Sequence, residues 1–308
     1  MEAMGSIEDA LRDRPGDAAA WHAYSGLLLE QGDTRGTLIR LEQRLARTRP
    51  ADRPALEREI ADLVAEYEDD WDAGVPDGVA RVLARRHGFA TEVAVEWSDD
   101  VAEIVERSLD AAPFVTTLRI MPNATDKDDH EDDWEDEDED DYLAVDRGDP
   151  RPGTLDIGAL DGLDLGRLTE LDLSYLSIGF DGAQALVATF RSDRLRALDL
   201  RYCRIADAGL AALAACPRLA GLRRLRLQRN RLTAEGVRHL RHFPDLTELD
   251  LRYNDLGAEG ARALLEAPFA GSLERLWMYG SDVGPDGVRA LAQAENLPTG
   301  LRSLWRCV

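Results

Sequence analysis

His239 and His242, three residues apart and preceded by Glu235, are the closest approach to a metal site in this chain of 308 residues. Two imidazoles without a zincin spacing leave a coordination shell open, so a solvated helix face accounts for them better. His22, His87 and His130 stand alone. No serine or cysteine is paired with a histidine in a nucleophile spacing, and no glycine-rich loop could cradle phosphate. Cys307 lies too close to the end of the sequence to suggest a ligase centre. The acidic run 126–141 lacks the glycine-spaced geometry of a calcium loop. The expectation is no enzyme, no cofactor and no metal.

What remains is recognition chemistry. Tyr175, Arg201, Tyr202, Arg226, Arg229, Arg252, Tyr253, Trp277, Tyr279 and Trp305 recur at regular intervals. Tyr, Trp and Arg dominate binding hot spots because each removes much surface from water while keeping a polar handle. The competing account is a self-contained ladder. Strands lie about 4.8 Å apart, so Asp199, Arg226 and Asp250 can pair sideways and arginines can lie over tyrosines. Both accounts can hold together.

These residues are placed by a repeated pattern: LTELDLSYLSI at 168, LRALDLRYCRI at 195, LRRLRLQRNRL at 222, LTELDLRYNDL at 246, LERLWMYGSDV at 273 and a shortened LRSLWRCV at 301. Leucines two apart, from Leu171/Leu173 to Leu276/Met278, have strand periodicity. A following G-x-x-x-L, from Gly182/Leu186 to Gly287/Leu291, puts its leucine on an inward helix face. Each unit is a strand and a helix in 24 to 28 residues. The pattern L-x-x-L-x-L-x-x-N/C-x-L resembles the leucine-rich repeat, and the unit length resembles its ribonuclease-inhibitor class. That resemblance implies a solenoid with a parallel concave sheet and helices on the convex side. Weaker copies fit at 90 (Val93, Val95), 115 (Leu118, Ile120) and 140 (Leu143, Val145), for up to nine strands including one at 301. Alternation sends positions 3, 5 and 7 of each unit to the concave side, with position 8 at its rim.

Composition narrows the partner. The net charge of −23 is uneven: residues 126–141 hold 13 acids and one lysine, whereas 168–308 hold 17 acids and 19 arginines. An acidic front half disfavours nucleic acid. No apolar run approaches the roughly 20 residues of a membrane span, and the N-terminus lacks a signal core. Three cysteines form no disulfide or zinc framework, which favours a cytoplasmic location. Arginine with a single lysine, Lys127, reflects a GC-rich genome rather than a function. The acidic run, at about 124–141, is expected to be a disordered insertion. It would be solubilising, or would contact a basic partner or this chain's own arginine-rich face with Trp134 as anchor.

Residues 1–87 read as all-helical, with helices over 17–31, 35–47, 54–67 and 77–86. Tyr24, Glu30, Gln31, Gly32, Asp33, Arg35, Gly36, Ile39, Arg40 and Leu41 resemble the short repeat-companion domain of bacterial leucine-rich-repeat proteins. HGFATEV at 87–93 is similar to its entry into the first strand. Ser25, Gly26 and Leu27 depart from the Ala-Asp-Trp usual there. The resemblance implies a cap and no activity. The expected fold is therefore α/β: a small all-α domain, 1–87, then a leucine-rich-repeat solenoid, 88–308. Its expected function is a protein-interaction scaffold on the concave face. Two alternatives stay open: a GTPase-activating regulator using a rim residue such as Asn230, Asn254 or Arg229, and assembly through an uncovered strand edge at the C-terminus.

Overall fold

The computed structural model describes residues 2–123, 157–160 and 162–306. The chain forms two compact units, Met1–Val95 with Glu103–Leu118, and Glu96–Ala102 with Arg119–Val308. Strand order follows chain order. The acidic insertion, Lys127, His130, Trp134, the strand expected at 140 and Cys307 lie outside the described residues.

The first unit begins with α1 (Glu2–Asp13), α2 (Ala18–Glu30), α3 (Arg35–Arg47) and α4 (Arg53–Asp72). Asp17 starts α2 by accepting from the amides of Ala19 and Ala20, both at 3.0 Å, which satisfies two donors that no helical carbonyl can reach. Gly32 ends it at φ +77, a left-handed conformation that costs glycine nothing. Leu11, Trp21, Tyr24, Leu28, Ile39, Phe89 and Phe114 make the core. Arg35, fixed to Asp33 at 2.6 Å, lies 4.2 Å above the Phe89 ring.

One expected helix is a strand. Residues 77–86 yield β1 (Ala80–Arg86), antiparallel to β2 (Phe89–Glu96). His87 and Gly88, at φ 52 and 81, form the two-residue loop between them, with the positive values a type I′ hairpin turn requires. Arg85 ties β1 to α4 through Asp72 and Glu68, at 2.5 and 3.0 Å. Spacing of Val79, Val82 and Leu83 imitates a helix, but the hairpin turn decides the period.

β2 is followed by α5 (Val101–Ala111) and β3 (Thr117–Met121). The Thr116 amide donates to the Thr91 carbonyl and the Trp97 amide to the Met121 carbonyl, at 3.0 and 2.8 Å, so the two strands run parallel. Val93, Val95, Leu118 and Ile120 are buried as their spacing predicts.

In the second unit β4 (Glu170–Asp172), β5 (Ala197–Asp199), β6 (Arg224–Arg226), β7 (Glu248–Asp250) and β8 (Arg275–Trp277) are parallel and in register through Leu171, Leu198, Leu225, Leu249 and Leu276. Between and after them come α6 (Gly179–Thr189), α7 (Ala206–Ala214), α8 (Ala234–His239), α9 (Gly257–Leu265) and α10 (Gly280–Gln293), each packed on the next. Leu186, Leu213, Leu240, Leu264 and Leu291 are all buried. Each fully buried leucine contributes about 2 kcal/mol against its exposed state.

Turns after the strands are held by a second ladder. Cys203 donates to the Leu173 carbonyl. Asn230 accepts from Ile205 N and donates to the Leu200 and Gln228 carbonyls. Asn254 accepts from Asn230 N and Leu232 N, and donates to the Leu227, Leu251 and Arg252 carbonyls. The ladder closes on Asp282, which accepts from Tyr253 N and Tyr279 N at 3.1 and 2.6 Å. Asn230 and Asn254 are buried, so neither is the rim residue a nucleotide-directed regulator would offer.

The strand expected at 301 is a helix, α11 (Thr299–Trp305). Leu301 and Trp305, one helical turn apart, are buried, while Leu304, expected to point inward, is 62% exposed. Leu-x-x-Leu suits either period, and Pro298 at the N-cap position starts a helix. α11 packs on α10, so the described residues 299–306 contain no strand.

Candidate interaction face

The sheet face opposite the helices carries three rows of side chains running across the strands. In the first, Arg224 reaches Glu170 at 3.1 Å and Glu248 at 3.5 Å, and Arg275 reaches Glu248 at 2.8 Å. Ala197 lies between Glu170 and Arg224 in sheet order and is buried. This row is a charge-balanced ladder of the kind the sequence suggested.

The second and third rows hold the recognition residues. Asp199 accepts from Arg201 Nε at 2.8 Å and Arg226 Nη1 at 3.1 Å; Asp250 accepts from Arg252 Nη2 at 2.6 Å. Arg119 sits 3.6 Å from Asp172. Asp199 and Asp250 are buried beneath these guanidinia, so the outward layer is cationic. Hydrogen bonds to Asp199 and Asp250 push Arg201 and Arg252 further above the ordinary arginine range against the opposing effect of burial, so both stay charged. Arg226 pairs sideways with Asp199, as the ladder account allowed, and replacing it by a carboxylate would break that pair.

Along the rim, Tyr175 stacks on Tyr202 with ring centroids 4.7 Å apart and an interplanar angle of 15°. The guanidinium of Arg229 is 5.9 Å from the Tyr202 centroid. Tyr253 meets Tyr279 edge to face at 5.0 Å. Tyr175, Tyr253 and Tyr279 are 50%, 44% and 40% exposed, while Tyr202, Arg229 and Trp277 are half-buried. Burial, then the neighbouring Tyr202, raises the Tyr175 hydroxyl above its ordinary pKa; the hydrogen bond with Tyr279 raises that of Tyr253. Both phenols are neutral donors at physiological pH.

Tyr175, Tyr202, Arg229 and Tyr253 occupy the same repeat position and all have positive φ, at 67, 59, 53 and 57. A bulky residue held there costs on the order of 1 kcal/mol relative to glycine, and asparagine tolerates it better. Sequence spacing brought nine of the ten expected site residues to this face. Trp305 is the exception: it is 6% exposed on α11. Ala94, assigned by alternation to an open row, is fully buried. The residues that sequence reasoning passed over are Gln228, which donates to the Tyr202 hydroxyl at 3.0 Å, and the role of Asp199 and Asp250 as clamps for their own strand's arginine. The twice-repeated Leu-Asp-Leu-Arg-Tyr was the available signal.

Other candidate chemistry does not assemble. Glu235 pairs with Arg238, and no group of three or more His, Cys, Asp or Glu that could hold a metal occurs among the described residues. Burial raises the Cys203 thiol far above its ordinary pKa, which keeps it protonated and unreactive. No described helix is long and apolar enough to cross a membrane.

A parallel strand-and-helix repeat with an open, aromatic and cationic sheet face defines the class. Residues 195–214 and 244–265 match the family model of the leucine-rich repeat. The fold and these two matches together support a leucine-rich-repeat protein. No curated protein matches the chain.

Proposed function

We propose that this protein is a non-enzymatic scaffold that binds a protein partner on the open face of β4–β8, through the rim row and the arginines beside it. Leucine-rich repeats commonly mediate protein-protein interaction, which supports the class of partner. The observation that carries the reading is the set of tyrosines held at positive φ with their rings exposed. Packing does not require an exposed ring, and the backbone there favours a smaller residue. A side chain retained against both preferences is best explained by what it contacts outside the chain. We further propose that residues 1–87 act as the companion cap of a bacterial, cytoplasmic protein of the ribonuclease-inhibitor repeat type.

The test is affinity capture from the source cells with the intact protein and with the double variant Tyr175→Asn, Tyr253→Asn. Asparagine suits the left-handed backbone, so the unfolding midpoint should hold or rise slightly. A partner captured by the intact protein and lost from the variant is expected. Identical captures by two equally stable proteins would remove the rim from the interface.

A further inference from the structure

The sequence Leu-Asp-Leu-Arg-Tyr occurs twice, at 198–202 and 249–253, and both copies build the same device. Asp199 is buried and accepts from the Arg201 amide at 3.2 Å and from its Nε at 2.8 Å. Asp250 is buried and accepts from the Arg252 amide at 3.2 Å, from Nε at 2.9 Å and from Nη2 at 2.6 Å. Each aspartate thereby fixes the arginine two residues on, next to a rim tyrosine at positive φ. Ordering these long side chains before binding removes an entropic cost from association.

The devices stand on β5 and β7, with β6 between them. Two strand spacings place them about 10 Å apart. Gln228 on the intervening turn connects them, donating to the Tyr202 hydroxyl at 3.0 Å and accepting from Arg252 Nη2 at 3.4 Å. Arg201 and Arg226 lie over Asp199 and Arg252 over Asp250, so three guanidinia cover two buried carboxylates, in a chain whose net charge is −23. Both anions lie beneath, so an arriving ligand meets donors and tyrosine rings.

The complementary ligand carries negative charges on one face at about 10 Å intervals. In a β-strand, same-face residues recur at about 6.7 Å and 13 Å, which miss this spacing. In a polyproline II segment residues three apart share a face and lie about 9.3 Å apart, which fits. The exposed rings of Tyr175, stacked on Tyr202, and of Tyr253 suit the proline rings such a segment carries.

We infer that the two Asp-Leu-Arg-Tyr devices form a two-point reader for an extended, proline-containing acidic segment of a partner protein, with Asp or Glu at every third residue. This rests on the open-face reading above and specifies its ligand. Arg201 and Arg252 bind the carboxylates, Asp199 and Asp250 hold those guanidinia in place, and Gln228 sets the two points in common register.

Fluorescence anisotropy on the intact protein tests it with a labelled (Glu-Pro-Pro)5 peptide. The comparison ligands are an isomer of the same composition with its glutamates grouped at one end, a helical peptide with glutamates seven apart, a copy of residues 126–141, and an oligothymidylate. The regular peptide should bind about fivefold tighter than the grouped isomer, the worth of one well-placed exposed ion pair. Arg201→Gln, which leaves Asp199 paired with Arg226, should lower the regular peptide to the grouped level. Equal affinity of the two isomers, tighter binding of the helix, the acidic copy or the oligonucleotide, or no binding of the regular peptide would overturn the inference. If Arg201→Gln does not fold, the isomer comparison on the unaltered protein still decides. A partner lost on Tyr175→Asn, Tyr253→Asn with no spacing preference among peptides would overturn this inference and leave the open-face reading standing.

Discussion

Asn254→Ala is the sharpest test of how the repeats are held in step. The Asn254 side chain is 4% exposed and its oxygen accepts from the amides of Asn230 and Leu232, both at 3.0 Å. Its nitrogen donates to the carbonyls of Leu227 and Leu251 at 2.9 Å and of Arg252 at 3.2 Å. Alanine leaves two buried amides without an acceptor, and each such loss costs about 1–3 kcal/mol. The expected destabilisation is therefore about 2–6 kcal/mol. Asn230→Ala strands one amide, Ile205 N, and should cost about 1–3 kcal/mol. Cys203→Ala removes weak thiol donations to Leu173 and Arg201 and should cost least.

A repeat array need not unfold in one step, so the midpoint of a urea titration is not enough by itself. Amide hydrogen exchange reads the site directly: the amides of Asn230 and Leu232 should exchange about thirtyfold faster or more in Asn254→Ala. Protection at those two amides within about twofold of the unaltered protein, with the midpoint unchanged, would refute the argument. Water entering the space left by the side chain would be the physical reason.

Two further predictions concern stability. Gly260→Ala places a Cβ 2.7 Å from Leu256 Cβ, at the start of α9, so that turn must shift, at about 1–3 kcal/mol, while Ala234 Cα of α8 at 3.6 Å is in ordinary contact. Gly26→Ala, with nothing within 4 Å, should instead stabilise α2 by about 0.5–1 kcal/mol; thermal midpoints that fall or rise together would contradict the packing argument. Burial raises the Asp282 carboxyl above its ordinary pKa, against the lowering effect of the Tyr279, Tyr253 and Asn254 amides. A raised folded value means that its contribution is fully present below the usual aspartate range, about 4, and is lost as pH rises through the folded value. In urea titrations across this range, the unaltered protein should lose ground to Asp282→Asn as pH increases; a constant difference would show that burial and the amides cancel, and one moving the other way that the amides outweigh burial.

How far the sequence carried the fold depended on whether a local signal had one meaning. Paired leucines followed by G-x-x-x-L located β4–β8 and the helices α6–α10 because both periods occur in every unit and agree. Val93/Val95 and Leu118/Ile120 needed only strand alternation, and β2 and β3 stand there. Residues 77–86 and 299–305 had ambiguous apolar spacing, and turn chemistry resolved each: a His-Gly pair at positive φ made the first a hairpin strand, and Pro298 made the second a helix.

The face was legible in direction but not in depth. Alternation sends Asp199, Arg201, Asp250 and Arg252 to the same side, yet it cannot say that the short carboxylates end up covered and the long guanidinia uppermost. That follows from length and donor geometry: an arginine two residues along the same strand can fold back over an aspartate, hydrogen-bond it through Nε, and still present other donors outward. Asp172, followed two residues on by Ser174, shows the contrast: its own strand offers it the Ser174 amide at 2.9 Å, and the cation beside it, Arg119 at 3.6 Å, comes from another strand. Where the third residue of Asp-x-Arg is arginine the strand supplies both its own turn bond and a fixed cation. Where it is serine it supplies the turn bond alone. The difference between the Asp172 turn and the two arginine-bearing turns is therefore not required by the fold, and the two-point peptide assay is aimed at what that difference does.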